Sequence, residues 1–232
     1  MKISGFQKLT LLDFPTKCAC IIFTQGCNFR CPYCQNSGLI GHDNEDLISE
    51  EEIFSYLKKR KGLLDGIVIS GGEPTVQKDL VDFIKKVKET GYLVKLDTNG
   101  SNPTMLKELV DNNLVDYVAM DVKNTFKDYS KVTDCPVKTD NLKKSIDILA
   151  NSNVEHEFRT TIIKNIHTID RILDICDYVY KKGHVYLQNF EQSENVLGKD
   201  LESFTNDELI EIEKLVQKKY PLVKVRGIRG GE

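Results

Sequence analysis

Apolar, β-branched runs alternate with amphipathic stretches along the whole chain, and this alternation predicts repeating strand–helix units. The first strand is expected at residues 18–24, followed by a cysteine-rich loop and a helix over about 49–61, where Ser49 and Glu52 form a capping-box pattern. The second unit is a strand at 66–70 with a helix at about 77–90 that Gly91 stops, and the third a strand at 92–97 with a helix at about 103–113. A fourth strand at 115–121 leads to a helix near 141–151, a fifth at 155–163 to a helix near 169–182, and a sixth lies at 184–189. A last helix follows Thr205, with Glu208 completing a second capping box, and a short strand is expected at 222–225.

Strands that read as near-continuous apolar runs are buried on both faces, and a regular βα alternation makes parallel sheets. Six units fall short of the eight of a closed barrel, so the expected α/β fold is an open, partial (β/α)6 barrel with mostly parallel strands; a flat, doubly wound sheet is the alternative. No Pro/Gly/Ser-rich linker interrupts residues 1–232, which predicts one domain with a short front segment (1–17) and a C-terminal extension from about 205 to 232. Either architecture binds its ligand at the C-terminal ends of the strands. The informative residues fall there: the cysteine loop follows the first strand, Gly71-Gly72-Glu73-Pro74 the second, Asp97-Thr98-Asn99-Gly100 the third and Asp121-Val122-Lys123 the fourth.

Charge narrows the partners. Lysine plus arginine (32) nearly balances aspartate plus glutamate (35), and no basic block exists that could follow a phosphate backbone, so nucleic acid is not an expected partner. No stretch approaches the roughly 20 apolar residues of a membrane span, and the N-terminus lacks the apolar core of a signal peptide, which predicts a cytoplasmic protein without membrane contact. Seven cysteines is an odd number, and three of them crowd into eight residues, which suits metal ligation in a reducing compartment better than a disulfide framework.

Those three, Cys27, Cys31 and Cys34, have the spacing C-x3-C-x2-C. A structural zinc wants four ligands, whereas a [4Fe-4S] cluster on three thiolates keeps one iron open. A zinc knuckle completed by Cys18, Cys135 or a histidine is the competing reading, although no second C-x2-C exists. The glycine pair at 71 and 72 lets backbone pass close to a ligand, with a helix N-terminus expected behind it, or else it is an ordinary βα turn. Asp97 and Asp121 are either site residues or N-caps of the helices that follow. Arg159, flanked by apolar residues in the fifth strand, needs a buried anion, which is a ligand or a neighbouring carboxylate.

The C-x3-C-x-aromatic-C loop with Tyr33 before its last cysteine, together with Gly71-Gly72-Glu73-Pro74, resembles the signature of the radical S-adenosylmethionine (SAM) enzymes. That resemblance implies one [4Fe-4S] cluster on Cys27, Cys31 and Cys34, and SAM bound at its open iron and cleaved to a 5'-deoxyadenosyl radical. It also implies that carbonyls of Gly71, Gly72 and Glu73 receive the SAM ammonium group and that the backbone of Tyr33, Cys34 and Gln35 meets the adenine. The segments ending in Asp97-Thr98-Asn99-Gly100 and Met120-Asp121-Val122-Lys123 are similar to those of glycyl-radical-enzyme activating enzymes such as pyruvate formate-lyase activase. By that likeness Lys123 neutralises the SAM carboxylate, with Arg159 as second candidate, and Asp97, Thr98, Met120 and Asp121 hold a monovalent cation. Where that family has a histidine near the ribose, this chain reads Gln188-Asn189-Phe190-Glu191, leaving Glu191 or Gln188 for the contact.

Cys18, Cys20, Cys135 and Cys176 share no short spacing and are read as structural, so no additional cluster is expected, and His42, His156, His167 and His184 show no metal pattern. Residues 5–15 resemble the opening of activating proteins of anaerobic ribonucleoside-triphosphate reductases. The implied reaction is removal of a glycine Cα hydrogen on a glycyl-radical enzyme, with a flavodoxin or ferredoxin-type electron donor and an oxygen-labile cluster that suits an anaerobic setting; residues 124–139 and 191–203 are candidate docking elements. A small-molecule substrate, as in the 7-carboxy-7-deazaguanine synthases, is the second reading. A non-enzymatic iron–sulfur or zinc module is the third.

Overall fold

The computed structural model describes residues 1–41 and 46–228; His42 and the last four residues of the C-terminal extension lie outside the described residues. Eight strands form one sheet in sequence order: β1 (Ile3–Thr10), β2 (Ala19–Thr24), β3 (Gly66–Gly71), β4 (Leu93–Thr98), β5 (Tyr117–Asp121), β6 (Glu155–Ile162), β7 (His184–Asn189) and β8 (Lys224–Arg226). Every neighbouring pair from β2 to β8 is parallel, and β1 lies antiparallel against β2. Since β1 and β8 pair only with β2 and β7, the barrel is open between its edges. The helices are α1 (Glu50–Lys59), α2 (Leu80–Glu89), α3 (Pro103–Asp111), α4 (Tyr129–Thr133), α5 (Thr139–Ala150), α6 (Ile169–Val179) and α7 (Asn206–Gln217). Among the described residues no helix is long and apolar enough to cross a membrane.

Alternation along the strands separates two cores. One set of positions, including Cys20, Ile22, Ile67, Ile69, Val94, Leu96, Val118, Phe158 and Leu187, packs with the apolar sides of the helices, among them Ile53, Leu57, Phe83 and Ile146. The opposite set faces the lumen. There Ala19, Ile21, Val68, Tyr117 and Ala119 close around Phe14 in a small separate cluster, while Lys95, Asp97, Asp121, Glu157 and Arg159 occupy the equivalent alternating positions of β4 to β6.

Three local features depart from the sequence expectation. The front segment forms β1, although only Ile3 and Thr10 of its eight residues are buried, because backbone pairing to β2 rather than side-chain burial holds it. The segment behind Glu73 is a short 3-10 turn (Pro74–Val76), and α2 starts only at Leu80, so no helix N-terminus faces the glycine turn. Neither Asp97 nor Asp121 is an N-cap: Asn102 caps α3 by accepting from the Met105 N–H, and α4, inside the segment expected to dock a partner, was not signalled by any periodicity in its five residues. The Thr205–Glu208 capping box is present as expected.

Candidate active site

The cysteine loop leaves β2 at Thr24 and is tied down from four directions. Gly26 and Cys27 donate backbone N–H bonds to the Leu39 and Ile40 carbonyls (2.7 and 3.2 Å), Glu73 N–H to Gly26 (2.9 Å), Arg30 N–H to Thr133 at the end of α4 (2.8 Å), and Gly198 N–H to Pro32 (2.8 Å). The Arg30 guanidinium also donates to the Cys27 and Phe29 carbonyls, at 2.6 and 2.9 Å. Both segments expected to dock a partner, 124–139 and 191–203, thus spend polar groups on this loop.

Cys27, Cys31 and Cys34 are free thiols lining a cavity of about 310 Å³ together with Tyr33, Gln35, Gly71, Gly72, Glu73, Asp97, Thr98, Asp121, Lys123, Arg159 and Gln188. Burial pushes the Cys27 thiol up to about 12 and raises Cys31 and Cys34, so loading a soft metal here must displace protons. Among the described residues no three His, Cys, Asp or Glu side chains converge on a point as a single metal ion requires. A four-iron cluster is a larger object that meets each thiolate on its own iron. Beside the thiols, the Tyr33 hydroxyl is buried with no hydrogen-bond partner, an orphan that a bound group would satisfy.

Opposite the cysteines, charged side chains from three adjacent strands form a chain. Arg159 on β6 donates from Nε to Asp121 Oδ1 on β5 (2.9 Å) and from a terminal nitrogen to Asp97 Oδ2 on β4 (3.4 Å). Lys123 Nζ reaches Asp121 Oδ2 at 3.2 Å, Lys95 Nζ contacts Asp97 Oδ1, and Ser70 Oγ donates to Asp97 Oδ2 at 3.1 Å. Burial alone would raise both aspartates, but Arg159 with Lys95 holds Asp97 below the usual carboxylate range, and Arg159 with Lys123 holds Asp121 at about 2. Desolvation pulls Lys123 down, yet the Asp121 charge outweighs it and keeps the ammonium firmly protonated. Arg159 is thus ion-paired with both aspartates, and Lys123 is left with the surplus of positive charge.

The Lys123 turn is itself clamped by buried groups. Tyr129 Oη accepts the Lys123 N–H at 3.1 Å, and His167 Nε2 lies 3.0 Å from the Lys123 carbonyl while its Nδ1 accepts the Ile163 N–H at 3.0 Å, which fixes the neutral Nε2–H tautomer. Burial lowers the His167 pKa further.

The Glu73 carboxylate is spent within the protein. Buried, it accepts from Thr75 N–H (3.1 Å), Thr75 Oγ (2.5 Å), Thr98 Oγ (2.7 Å) and Asn99 N–H (2.6 Å), stapling the turn after β3 to the turn after β4. The glycines before it serve the same close fit. A Cβ on Gly71, whose φ is +111°, would lie 2.3 Å from Thr24 N, and one on Gly72 would lie 2.1 Å from Gly26 O, so the pair admits the cysteine-loop backbone rather than only a ligand. Thr98 thereby loses its hydroxyl to Glu73, and Met120 is fully buried beneath Gly100, where a Cβ would come within 2.0 Å of its methyl.

Gln188 lines the cavity. Glu191 is not among its lining residues, and its carbonyl accepts from Gln35 Nε2 at 2.6 Å. Sequence reasoning passed over Lys95, Tyr129 and His167. For Lys95 a signal existed: a lysine inside Leu93-Val94-Lys95-Leu96, on the same face as Asp97 two residues on.

Comparison with known proteins agrees with this geometry. The radical SAM superfamily profile matches residues 21–179. A Methanocaldococcus jannaschii protein assigned as a glycyl-radical enzyme activating enzyme is 36% identical over 235 residues, 98% of this chain and 97% of the relative. In fold, the chain is similar to Streptococcus suis SuiB bound to its precursor peptide SuiA (TM-score 0.71, 14% identity, 89% of this chain and 48% of that one). It is also similar to a domain of a Bacteroides vulgatus pyruvate-formate lyase-activating enzyme (TM-score 0.57, 16% identity, 70% of this chain and 99% of that one). The chain spans about half the length of the former and nearly all of the latter. With the superfamily profile covering most of the chain and its cysteine loop, glycine turn and strand-end charges gathered in one cavity, the protein belongs to the radical SAM superfamily and is an enzyme of it.

Proposed function

We propose that this enzyme activates a glycyl-radical enzyme by removing a Cα hydrogen from a glycine of that partner. The observation that carries the reading is the 36% identity to an activating-enzyme relative, sustained over 98% of the chain. In this reading Cys27, Cys31 and Cys34 hold a [4Fe-4S] cluster with one iron left for SAM. The three free thiols around one cavity and the orphaned Tyr33 hydroxyl fit such a load. When bound, cluster and SAM supply one electron and a 5'-deoxyadenosyl radical able to take a hydrogen atom.

The protein's part is binding and orientation. Lys123, clamped through its backbone by Tyr129 and His167, presents a fixed ammonium to the SAM carboxylate. The carbonyls of the Gly71–Gly72–Glu73 turn are held for the SAM ammonium by the Glu73 staple, and the backbone of Tyr33, Cys34 and Gln35 forms the adenine edge. Gln188 takes the ribose contact in preference to Glu191, because it alone of the two lines the cavity. Arg159 and Gln188 also line a second cavity of about 1080 Å³ that runs past Lys95, Tyr117 and Glu157 to the N-terminal ends of β6 and β7. The electron comes from a flavodoxin or ferredoxin-type donor, and a reducing cytoplasm suits the free thiols.

The test is anaerobic reconstitution and reduction with SAM, with and without a glycyl-radical enzyme such as anaerobic ribonucleotide reductase. The expected result is about four irons per chain, 5'-deoxyadenosine release lost in Cys31→Ala, and a glycyl-radical doublet by electron paramagnetic resonance on the partner. Deoxyadenosine release that requires a small molecule and never yields a protein radical would overturn the reading.

A further inference from the structure

The place expected to hold a monovalent cation is already filled by the protein. Asp97 Oδ1 meets the ammonium of Lys95, whose side chain is 2% exposed, and Asp97 Oδ2 accepts from Ser70 and Arg159. Asp121 Oδ1 accepts from Arg159, and its Oδ2 from Lys123. Thr98 Oγ donates to Glu73 and accepts the Gly100 N–H at 3.1 Å, while the Met120 side chain is sealed under Gly100. Two carboxylates thus face three cationic side chains. A metal ion would add a further positive charge where the local balance is already positive, whereas a bound carboxylate would neutralise it. The donor set therefore does not fit the ion.

We propose that Lys95 is a tethered counter-cation, so that its ammonium stands beside Asp97 where a potassium or sodium ion would otherwise sit and cofactor binding needs no such ion. Lysine suits this role, being a compact point charge on a flexible stem. Its stem rises from the buried face of β4, and its ammonium lies 6.0 Å from the centroid of the Tyr117 ring, so it is enclosed from below by an aromatic and bound above by a carboxylate. The charge is covalently supplied, and the site keeps its electrostatic balance whatever salt surrounds it.

The inference rests on the reading of this cavity as the SAM site, and two measurements on the reconstituted protein keep the two claims apart. Crystals soaked in rubidium test the ion directly, without SAM. Wild type should show no anomalous peak between Asp97 and Asp121, and a peak there would overturn the proposal even if SAM binding failed. Equilibrium dialysis of SAM is then compared in potassium and in tetramethylammonium at equal ionic strength. Wild-type affinity should change by less than about threefold, and Lys95→Ser should bind about tenfold more weakly in tetramethylammonium and recover with potassium. A wild-type gain of about threefold or more with potassium, or a Lys95→Ser protein that ignores potassium, overturns it. Should Lys95→Ser fail to fold, the wild-type measurements alone decide.

Discussion

Two arginine–carboxylate clusters sit on the lumen face of the barrel, two residues apart on β6, and they satisfy themselves to different degrees. In the lower one Glu157 takes a two-pronged pair from Arg226 (3.2 and 2.9 Å) and the Tyr117 hydroxyl at 3.0 Å, with the guanidinium lying 3.5 Å from the centroid of the Tyr186 ring. One carboxylate meets one arginine, and the accounts close. In the upper one Arg159 is divided between Asp97 and Asp121, with Lys95 and Lys123 added. The upper cluster lies at the C-terminal ends of the strands beside the cysteines and carries excess positive charge; the lower lies deeper in the barrel and carries none. The same chemistry thus makes a balanced structural tie in one place and leaves unbalanced positive charge in the other.

Arg159→Met should do the most damage, because it strips both aspartates of their shared partner. Asp97 then keeps only Lys95 and Asp121 only Lys123, which should cost about 3 kcal/mol, read by urea denaturation, and deoxyadenosine release should fall by more than about 100-fold. If stability falls with SAM binding intact, Arg159 belongs with the structural cluster instead. The contrast is sharpened by a pair of smaller lesions. Lys123→Met should lower deoxyadenosine release about 100-fold with little loss of stability, since Asp121 keeps Arg159. Arg226→Met should do the reverse, costing about 2 kcal/mol and about 5 °C in melting temperature while SAM affinity stays within about twofold. Equal loss of SAM binding in the two would erase the distinction between the clusters. Glu73→Gln comes next. A glutamine amide would set a donor against donors from Thr75 or Asn99, for about 1–2 kcal/mol of stability and a few-fold weaker SAM binding. An effect on SAM as large as that of Lys123→Met would put the Glu73 carboxylate on the ligand.

What could be read from the chain follows from how local each feature is. The six central strands and the cysteine triad are contiguous in sequence, so periodicity and spacing expose them. β1 escapes because Gly5, Phe6, Gln7, Lys8 and Leu9 carry no buried alternation, and its hold on the sheet lies in backbone bonds that leave no mark on composition. The upper charge cluster escapes in a different way. Asp97, Asp121, Lys123 and Arg159 stand out singly in the sequence and Lys95 does not, and their pairing depends on the register that sets Asp121 beside Arg159 and Lys95 beside Tyr117, which only the folded sheet provides. A motif gives residue types and not directions, so the bond that turns the Glu73 and Thr98 side chains toward each other leaves no mark in the sequence. Lys95 carries a signal of its own in the sequence, a charge between the apolar residues Val94 and Leu96 of β4.

The smallest expected effect separates two acid-sensitive parts of the site by pH. Asp121 is held at about 2 and Asp97 is lowered too, so both bind fewer protons folded than unfolded near pH 3. Their stabilisation is complete above the ordinary aspartate value of about 4 and drains away as pH falls toward 2. His167 is a base with a lowered value, so folding is favoured while the unfolded histidine is neutral and loses ground as pH drops below about 6.5. Melting temperatures of cluster-free protein should therefore fall in two windows. Asp121→Asn should flatten only the lower one, so that its deficit against wild type is constant above about pH 5 and closes toward pH 2. His167→Asn should flatten only the upper. If the Asp121→Asn deficit persists unchanged near pH 2, the carboxylate is not paired as its bonds to Arg159 and Lys123 require, and the surplus charge on Lys123 loses its physical basis.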